Sequence, residues 1–326
     1  MANVPILGPN QAERARARRR EILADVGETL FRAPRELSPK YFYDARGSEL
    51  FEEITRLPEY YLTRSEREIL LARAGDIVDA HQPRTLVELG AGSAAKTRIL
   101  LDAMTQRDPH VTYVPVDVSE EFLEATARAL EAEYPSLRVD SVVADISTAL
   151  DVPSIAGPVL FAFLGSTIGN FAVEDAVALL RRVRARMKAP DRLLLGTDLR
   201  KSESIVNAAY NDARGITAEF NRNMLRVLNT ELGADFVPEQ FAHHAFYNGI
   251  DHRVEMHLSS MGDQVVRLPG LPTLILRDGE CIRTELSHKY DRESVEAMLA
   301  SARLRIEQWY TDTAGRFALS VVEPMA

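Results

Sequence analysis

The sequence predicts an α/β fold, an open doubly wound sheet into which a second, smaller α+β unit is inserted. Three observations carry that prediction. The apolar run at residues 86–89 passes directly into Gly90-Ala91-Gly92 and then into an amphipathic helix with Ile99, Leu100 and Leu101, which is strand, tight turn, helix. Apolar runs and helical stretches then alternate as far as Thr197, as a parallel sheet wrapped by helices requires. Beyond Asp198 the rhythm lapses, and it returns only from Arg292 onward.

The first elements precede the glycine turn. Residues 11–31 read as a helix, with Ile22, Leu23, Val26, Leu30 and Phe31 near the helical period and Pro34 as a stop. Arg14, Arg16, Arg18, Arg19 and Arg20 form a basic run on it, which Glu13, Glu21 and Asp25 interrupt, so a solvated helix face is expected. Residues 38–64 are dense in aromatics: Tyr41, Phe42, Tyr43, Phe51, Tyr60 and Tyr61. Packing a core and lining a pocket wall both account for such a group. Thr63 and Glu66 match a capping box, T-x-x-E, opening a helix through Ile69, Leu70, Leu71 and Ile77.

After the turn the expected order is a strand at 111–116, a helix at 119–133, strands at 137–144 and 159–164, a helix at 173–187 and a strand at 192–197. A helical stretch over 202–232 follows, interrupted near Gly215 and closed by Gly233. Alternation then predicts strands at 241–248, 253–261, 264–268 and 273–286, the last split into two halves by a hairpin at Asp278-Gly279. A helix at 292–302 and strands at 304–309 and 317–322 close the chain as an antiparallel hairpin at one sheet edge.

Composition narrows the function. The chain has 326 residues, 46% of them apolar and 27% charged, which is ordinary for a globular protein with a sizeable core. A net charge of −9 offers no attraction to phosphate backbones or anionic membranes, so neither nucleic acid nor membrane is expected as a partner. Cys281 is the one cysteine, which excludes a disulfide framework and a thiolate metal cluster and suits a reducing cytoplasm. No apolar run approaches the roughly 20 residues that span a bilayer, and residues 1–5 show no cleavable leader, so a soluble, unprocessed protein is expected, and a monomer is taken as its state. His243, His244, His252 and His257 suggest a metal, but no H-E-x-x-H is present and adjacent strand residues face opposite ways; no metal is expected.

In open α/β sheets ligands bind beyond the carboxyl ends of the strands. The polar residues there are Asp117, Asp145, the segment 165–170 and Asp198. Glycines in the first turn let backbone N–H groups approach a ligand at a helix N-terminus. Gly90, Gly92 and Ala95 fit the dinucleotide fingerprint G-x-G-x-x-G/A only loosely. Glu88, two residues before the first glycine in E-L-G-A-G, makes the loop resemble the first motif of class I S-adenosylmethionine (SAM) methyltransferases. Asp117, at the end of the second strand, is placed to accept hydrogen bonds from both ribose hydroxyls, and Asp145, at the end of the third, from an exocyclic adenine N–H; capping and loop roles remain open for both.

Several motifs together resemble one family. They are Tyr41-Phe42-Tyr43-Asp44 with Gly47-Ser48-x-Leu50-Phe51, Leu57-Pro58-Glu59-Tyr60-Tyr61-x-Thr63-Arg64, V-E-L-G-A-G-S-A-A-K-T, F-L-G-S-T-I-G-N-F and R-T-E-L-S-H-K-Y. From about Leu37 to the C-terminus the chain is similar to the histidine Nα-methyltransferases of ergothioneine biosynthesis. The resemblance implies a class I SAM-methyltransferase, Rossmann-like sheet (63–199 plus 287–326) and an α+β substrate-binding domain (1–62 plus 200–286). It also implies SAM-dependent conversion of L-histidine to its trimethyl betaine, hercynine. Position by position, it places Asn170 and Tyr210 at the amino and carboxylate groups, with Gly165 lending backbone. Glu285 and Ser287 hold the imidazole, Tyr60 flanks it and Met256 packs nearby, while Tyr43, Gly90, Lys96, Asp117 and Asp145 contact SAM.

The chemistry asks little of side chains. A sulfonium is already an activated electrophile, so the enzyme's task is to hold a neutral amine in line with the methyl group, and proximity supplies much of the effect. Neutral contacts such as Asn170 and Tyr43 suit an amine that must lose its proton between rounds better than a carboxylate would. Three other readings stay open at this point: a methyltransferase of another amino acid such as tryptophan, a nicotinamide oxidoreductase, and a non-catalytic SAM-binding protein.

Overall fold

The computed structural model describes residues 9–146, 148, 152, 155 and 157–325. In chain order its elements begin with α1 (Pro9–Thr29), α2 (Ala45–Thr55), α3 (Leu62–His81), β1 (Thr85–Leu89), α4 (Thr97–Arg107), β2 (Thr112–Asp117) and α5 (Glu120–Glu133). Then come β3 (Arg138–Val139), β4 (Val142–Val143), β5 (Val159–Phe163), α6 (Val173–Arg186), β6 (Arg192–Asp198), α7 (Glu203–Tyr210) and α8 (Ile216–Leu232). Last are β7 (Phe241–Asn248), β8 (Arg253–Ser260), β9 (Gln264–Val266), β10 (Leu274–Leu276), β11 (Cys281–His288), α9 (Arg292–Ser301), β12 (Leu304–Thr311) and β13 (Phe317–Pro324). The chain divides into two compact units. The first runs to Leu50 and takes in Ala213–Ala245 and Glu255–Glu285; the second takes Phe51–Asp212, Phe246–Val254 and the chain from Leu286 onward.

The second unit is built on a sheet in the order β12-β13-β6-β5-β1-β2-β3, with β4 also beside β2. Strands β6, β5, β1 and β2 are parallel, and β13 runs antiparallel to both β6 and β12. Alternate residues of the strands bury one face: Val87 and Leu89, Val114 and Val116, Phe161 and Phe163, Leu193 and Leu195 pack with Leu179, Leu180 and Val183 of α6 and Val295 and Leu299 of α9. Each such side chain contributes about 1.5–3 kcal/mol by leaving water. The expected α/β layout and closing edge hairpin are therefore present. The chain moves outward from β1 to β2 and β3, then returns to β5 on the other side of β1, so the order reverses between β1 and β5. The loops after those two strands flank the crevice where such sheets bind ligands.

In the first unit α8 is the organising helix. Phe220, Met224, Leu225, Leu228 and Leu232 are buried on it, and α1 and the single turn Pro39–Phe42 pack against it. Phe42 stacks on Phe220 with ring centroids 4.5 Å apart. The break expected within 202–232 falls at Gly215, which takes φ +72° ahead of α8, and Gly233 closes that helix at φ +67°.

Two expected strand arrangements fail. The strand expected over 137–144 is two separate pairs of residues, β3 and β4, because the polar Asp140-Ser141 breaks the run; each pair finds its own partners on β2. The hairpin expected at Asp278-Gly279 does not pair the strands flanking it. The Gly279 N–H donates to the Ser260 carbonyl and Ser260 N–H to that of Glu280, so the turn is sewn to β8. As a result β10 pairs with β9, while β11 joins β8 and β7 in a three-stranded sheet. No helix among the described residues is long and apolar enough to cross a membrane.

Candidate active site

The loop after β1 is a backbone cradle. Gly90 and Gly92 take φ +71° and +51°, a region an L side chain enters at a cost, and a Cβ added at Gly92 would meet nothing within 4 Å. The loop is tied to the neighbouring strand, since Gly90 N–H donates to the Val116 carbonyl at 2.8 Å. Asp117 closes the tie: one carboxylate oxygen accepts the Gly92 N–H at 3.0 Å and the other the Ser119 N–H at 3.1 Å. A carboxylate has about four acceptor positions, so each oxygen keeps capacity for a hydroxyl. These residues fit a cofactor that carries a ribose.

Glu88 works from underneath. Its buried carboxylate accepts hydrogen bonds from the Thr97 hydroxyl at 2.6 and 2.7 Å and from the Tyr113 phenol, linking β1, α4 and β2 below the loop. Burial raises its carboxyl to about 7 in spite of those two donors.

The second loop, after β5, is fastened by a residue that sequence reasoning read otherwise. Glu66 does not cap α3, which begins at Leu62 with no side-chain cap at its N-terminus. Its carboxylate is fully buried, accepts the Gly165 N–H at 2.9 Å on both oxygens and pairs with Lys96. Room for it is made on β6, where a Cβ at Gly196 would lie 2.2 Å from Glu66 Oε1. Glu66 thus joins Lys96 of the cradle to Gly165. Gly165 and Ser166 take φ +74° and +58°, and the Ser166 hydroxyl accepts the Asp198 N–H at 2.9 Å. Gly169 lies so close to the chain at His288 that a Cβ there would be 2.9 Å from its carbonyl oxygen. Asn170 ends this turn, half-buried, with no side-chain hydrogen bond among the described residues.

Beyond β6 lies a buried charge network. Asp198 is wholly buried and is met by two lysines, Lys289 at 2.9 Å and Lys201 at 2.5 Å, and by the Tyr61 phenol at 2.8 and 3.0 Å. Lys289 also donates to Tyr210 Oη at 3.0 Å and Ser287 Oγ at 2.9 Å, and Tyr210 Oη lies 2.8 Å from Ser287 Oγ. Backbone bonds hold the arrangement: Tyr290 N–H to the Asp198 carbonyl at 2.8 Å and Arg200 N–H to that of Tyr290 at 2.7 Å. Burial lowers the Lys201 ammonium to about 8, against the pull of Asp198. Sequence reasoning gives Asp198 only a place at a strand end and Tyr61 only a place in the aromatic group and its motif, and it gives Lys201 and Lys289 no role of their own. Their signal was faint: a lysine directly after a strand reads as a solvated end, and only the fold reveals that its amine is enclosed.

The remaining sequence-picked residues are placed as follows. Tyr60 is buried in the second unit with its ring edge-on to Phe51 at 6.3 Å. Asp145 sits just beyond β4 and its carbonyl accepts the Thr148 N–H. Tyr43, Met256 and Glu285 belong to the first unit. There Tyr43 stands edge-on to Phe220 at 5.9 Å, on a turn where the Gly47 N–H donates to Asp44, itself held by Asn223 at 2.8 Å. Met256 is buried on β8, its carbonyl accepting the Thr284 hydroxyl, and Glu285 is half-buried on β11.

Comparison with known proteins agrees with this geometry. The family model described as histidine-specific methyltransferase, SAM-dependent, matches residues 22–324. The histidine N-alpha-methyltransferase of Mycobacterium tuberculosis is 45% identical over 298 residues, spanning 91% of this chain and 93% of that protein. The protein of the same name from Mycolicibacterium smegmatis is similar to the same extent. Ergothioneine biosynthesis protein 1 of Schizosaccharomyces pombe is 26% identical, over 88% of this chain and 39% of that longer protein.

Proposed function

The chain belongs to the histidine-specific, SAM-dependent methyltransferase family, and from that premise we propose that it methylates the α-amino nitrogen of L-histidine three times, giving hercynine. This would be the first step of ergothioneine biosynthesis. The observation that carries the reading is the 45% identity to histidine N-alpha-methyltransferases across nine-tenths of the chain. SAM, when bound, supplies a methyl group activated on its sulfonium.

The chain's own residues do the rest. Gly90, Gly92, Lys96, Asp117 and Asp145, with Tyr43, hold the cofactor; Glu88 keeps the loop in place from below. Asn170, whose amide has no protein partner among the described residues, takes the amino group without fixing it as an ammonium ion. Tyr210 takes the carboxylate and Gly165 lends backbone. Glu285 and Ser287, two apart on β11, take the two ring nitrogens, with Tyr60 and Met256 bounding the ring. In this reading residues 1–62 and 200–286 form the substrate domain and 63–199 with 287–326 the SAM domain, the first lending Tyr43 to the cofactor and the second lending Gly165, Asn170 and Ser287 to histidine. The charge of −9 argues against nucleic-acid partners, and the single cysteine suits a reducing cytoplasm, where we take the enzyme to act as a monomer.

Incubation with SAM and each of the twenty amino acids, read by mass spectrometry, tests the proposal. Histidine should gain up to three methyl groups and the others essentially none, and histamine, lacking a carboxylate, should be a poor substrate. Faster methylation of tryptophan, or equal turnover of histamine, would overturn it.

A further inference from the structure

An ammonium group has three hydrogens and no lone pair, so every bond it makes is a donation. Lys289 Nζ, fully buried, meets three acceptors: Asp198 at 2.9 Å, Tyr210 Oη at 3.0 Å and Ser287 Oγ at 2.9 Å. The tripod is complete, and its directions cannot reverse. Tyr210 and Ser287 also bond to each other at 2.8 Å. Of two hydroxyls, the phenol is the stronger donor and the aliphatic alcohol the better acceptor, so the Tyr210 hydrogen goes to Ser287. Ser287 Oγ then receives two hydrogen bonds, which occupy both of its lone pairs. Its one remaining capacity is its own hydrogen, which has no acceptor among the described residues.

We propose that Lys289 is a positioning residue for specificity: with Tyr210 it leaves Ser287 only as a donor, so the site selects a side-chain ring that presents an unprotonated nitrogen. Where Ser287 touches the substrate ring, as the functional reading has it, an imidazolium offers N–H at both nitrogens and a thiophene offers no nitrogen at all. Either leaves the Ser287 hydrogen unpaired. The substrate is thus the neutral imidazole, selected through a residue that need not touch it.

Two experiments test this. In the first, ring-¹⁵N-labelled histidine is bound to the wild-type protein with S-adenosylhomocysteine, and its nitrogen shifts are followed as pH falls. Although the Glu285 carboxylate placed at the other ring nitrogen favours the charged ring, one nitrogen should stay unprotonated to a pH at least a full unit below that of free histidine, about 6.5. Bound imidazolium at the free value would overturn the proposal. In the second, kcat/KM for histidine is divided by that for β-(2-thienyl)alanine in wild type, Lys289→Met, Ser287→Ala and the double variant. Lys201 and Tyr61 still meet Asp198 in Lys289→Met, so the acid keeps a counter-charge. Calorimetric binding of S-adenosylhomocysteine confirms that each variant is folded. The ratio should fall about tenfold in Lys289→Met, the worth of one hydrogen bond, and no further when Lys289→Met is added to Ser287→Ala. An unchanged ratio, or two independent losses that multiply, would overturn the proposal, and the nitrogen experiment decides the matter if Lys289→Met does not fold. If histidine is neither bound nor methylated, the functional reading fails and this inference with it; if histidine is methylated but the ratio and shifts do not behave so, only the inference fails.

Discussion

At the scale of the residue, the molecule places its charges where sequence gives little sign of them. Asp198 is the buried acid that pairs with two enclosed ammonium groups, Lys289 and Lys201. Removing one member of a buried ion pair leaves uncompensated charge, which costs about 3–5 kcal/mol. Asp198→Ala should lose at least that much in urea denaturation, and a loss within experimental error of zero would mean that the network is solvated. Glu88 makes a different prediction. Its carboxyl is raised to about 7 from an ordinary 4.5, mainly by burial. A group whose folded value exceeds its unfolded one binds protons on folding, so its contribution is full below about 4.5 and is lost as pH rises through about 7. Glu88→Gln mimics the protonated form and should gain on wild type by roughly 3 kcal/mol between about pH 5 and about pH 8. A pH-independent difference in their unfolding free energies would refute the assignment. Glu88 was legible because a motif surrounds it. Glu66 was not, because T-x-x-E is also a helix-start pattern, and only the tertiary structure brings Gly165 and Lys96 to its carboxylate.

At the scale of the element, what was legible followed from local rules and what was missed followed from pairing. Helices α5, α6, α8 and α9 fall within a residue or two of their expected ends, because periodicity and glycine stops are local. The partners of β10 and β11 are chosen by bonds to β8 and β9, and no pattern inside residues 273–286 records that choice. Strand β6 shows how an element serves a loop it does not adjoin in sequence. Gly196 has no conformational need to be glycine; its value is the space that it leaves to Glu66. Gly196→Ala should therefore displace that carboxylate at about 1–3 kcal/mol, and weaken SAM binding by loosening Lys96 and the Gly165 loop. Calorimetry and urea titration of the variant measure both effects. Gly279→Ala, where an added Cβ meets nothing within 4 Å, should show only the penalty of φ +77°, about 1–2 kcal/mol, with SAM affinity unchanged. Equal SAM affinities in the two variants would deny β6 this supporting part.

At the scale of the whole molecule, the residues proposed for the two ligands are interleaved along the chain. Those for the cofactor cluster early, in the cradle and at Asp117 and Asp145, with Tyr43 outside the second unit; those for histidine reach from Tyr60 to Ser287. The strand order of the sheet explains the first cluster, since the reversal between β1 and β5 opens the crevice beside the glycine loop. The second has no comparable sequence rule, and its members came from resemblance. Hydrogen exchange can separate them. A ligand at a hundred times its Kd adds about 2.7 kcal/mol to any opening that destroys its site, slowing exchange there roughly a hundredfold. S-Adenosylhomocysteine alone should protect residues 90–97 and the amides about Asp117. Adding histidine should extend protection to the turn Thr167–Asn170, to the end of α7 at Tyr210 and to residues 284–289. Histamine, which cannot engage Tyr210 through a carboxylate, should leave the end of α7 exchanging as before. If histidine adds no protection beyond that of S-adenosylhomocysteine, the carried-over substrate residues are wrong even though the family and the cofactor stand. If it protects 284–289 and not Asn170, the ring contacts survive and the amino-group contact must be sought elsewhere.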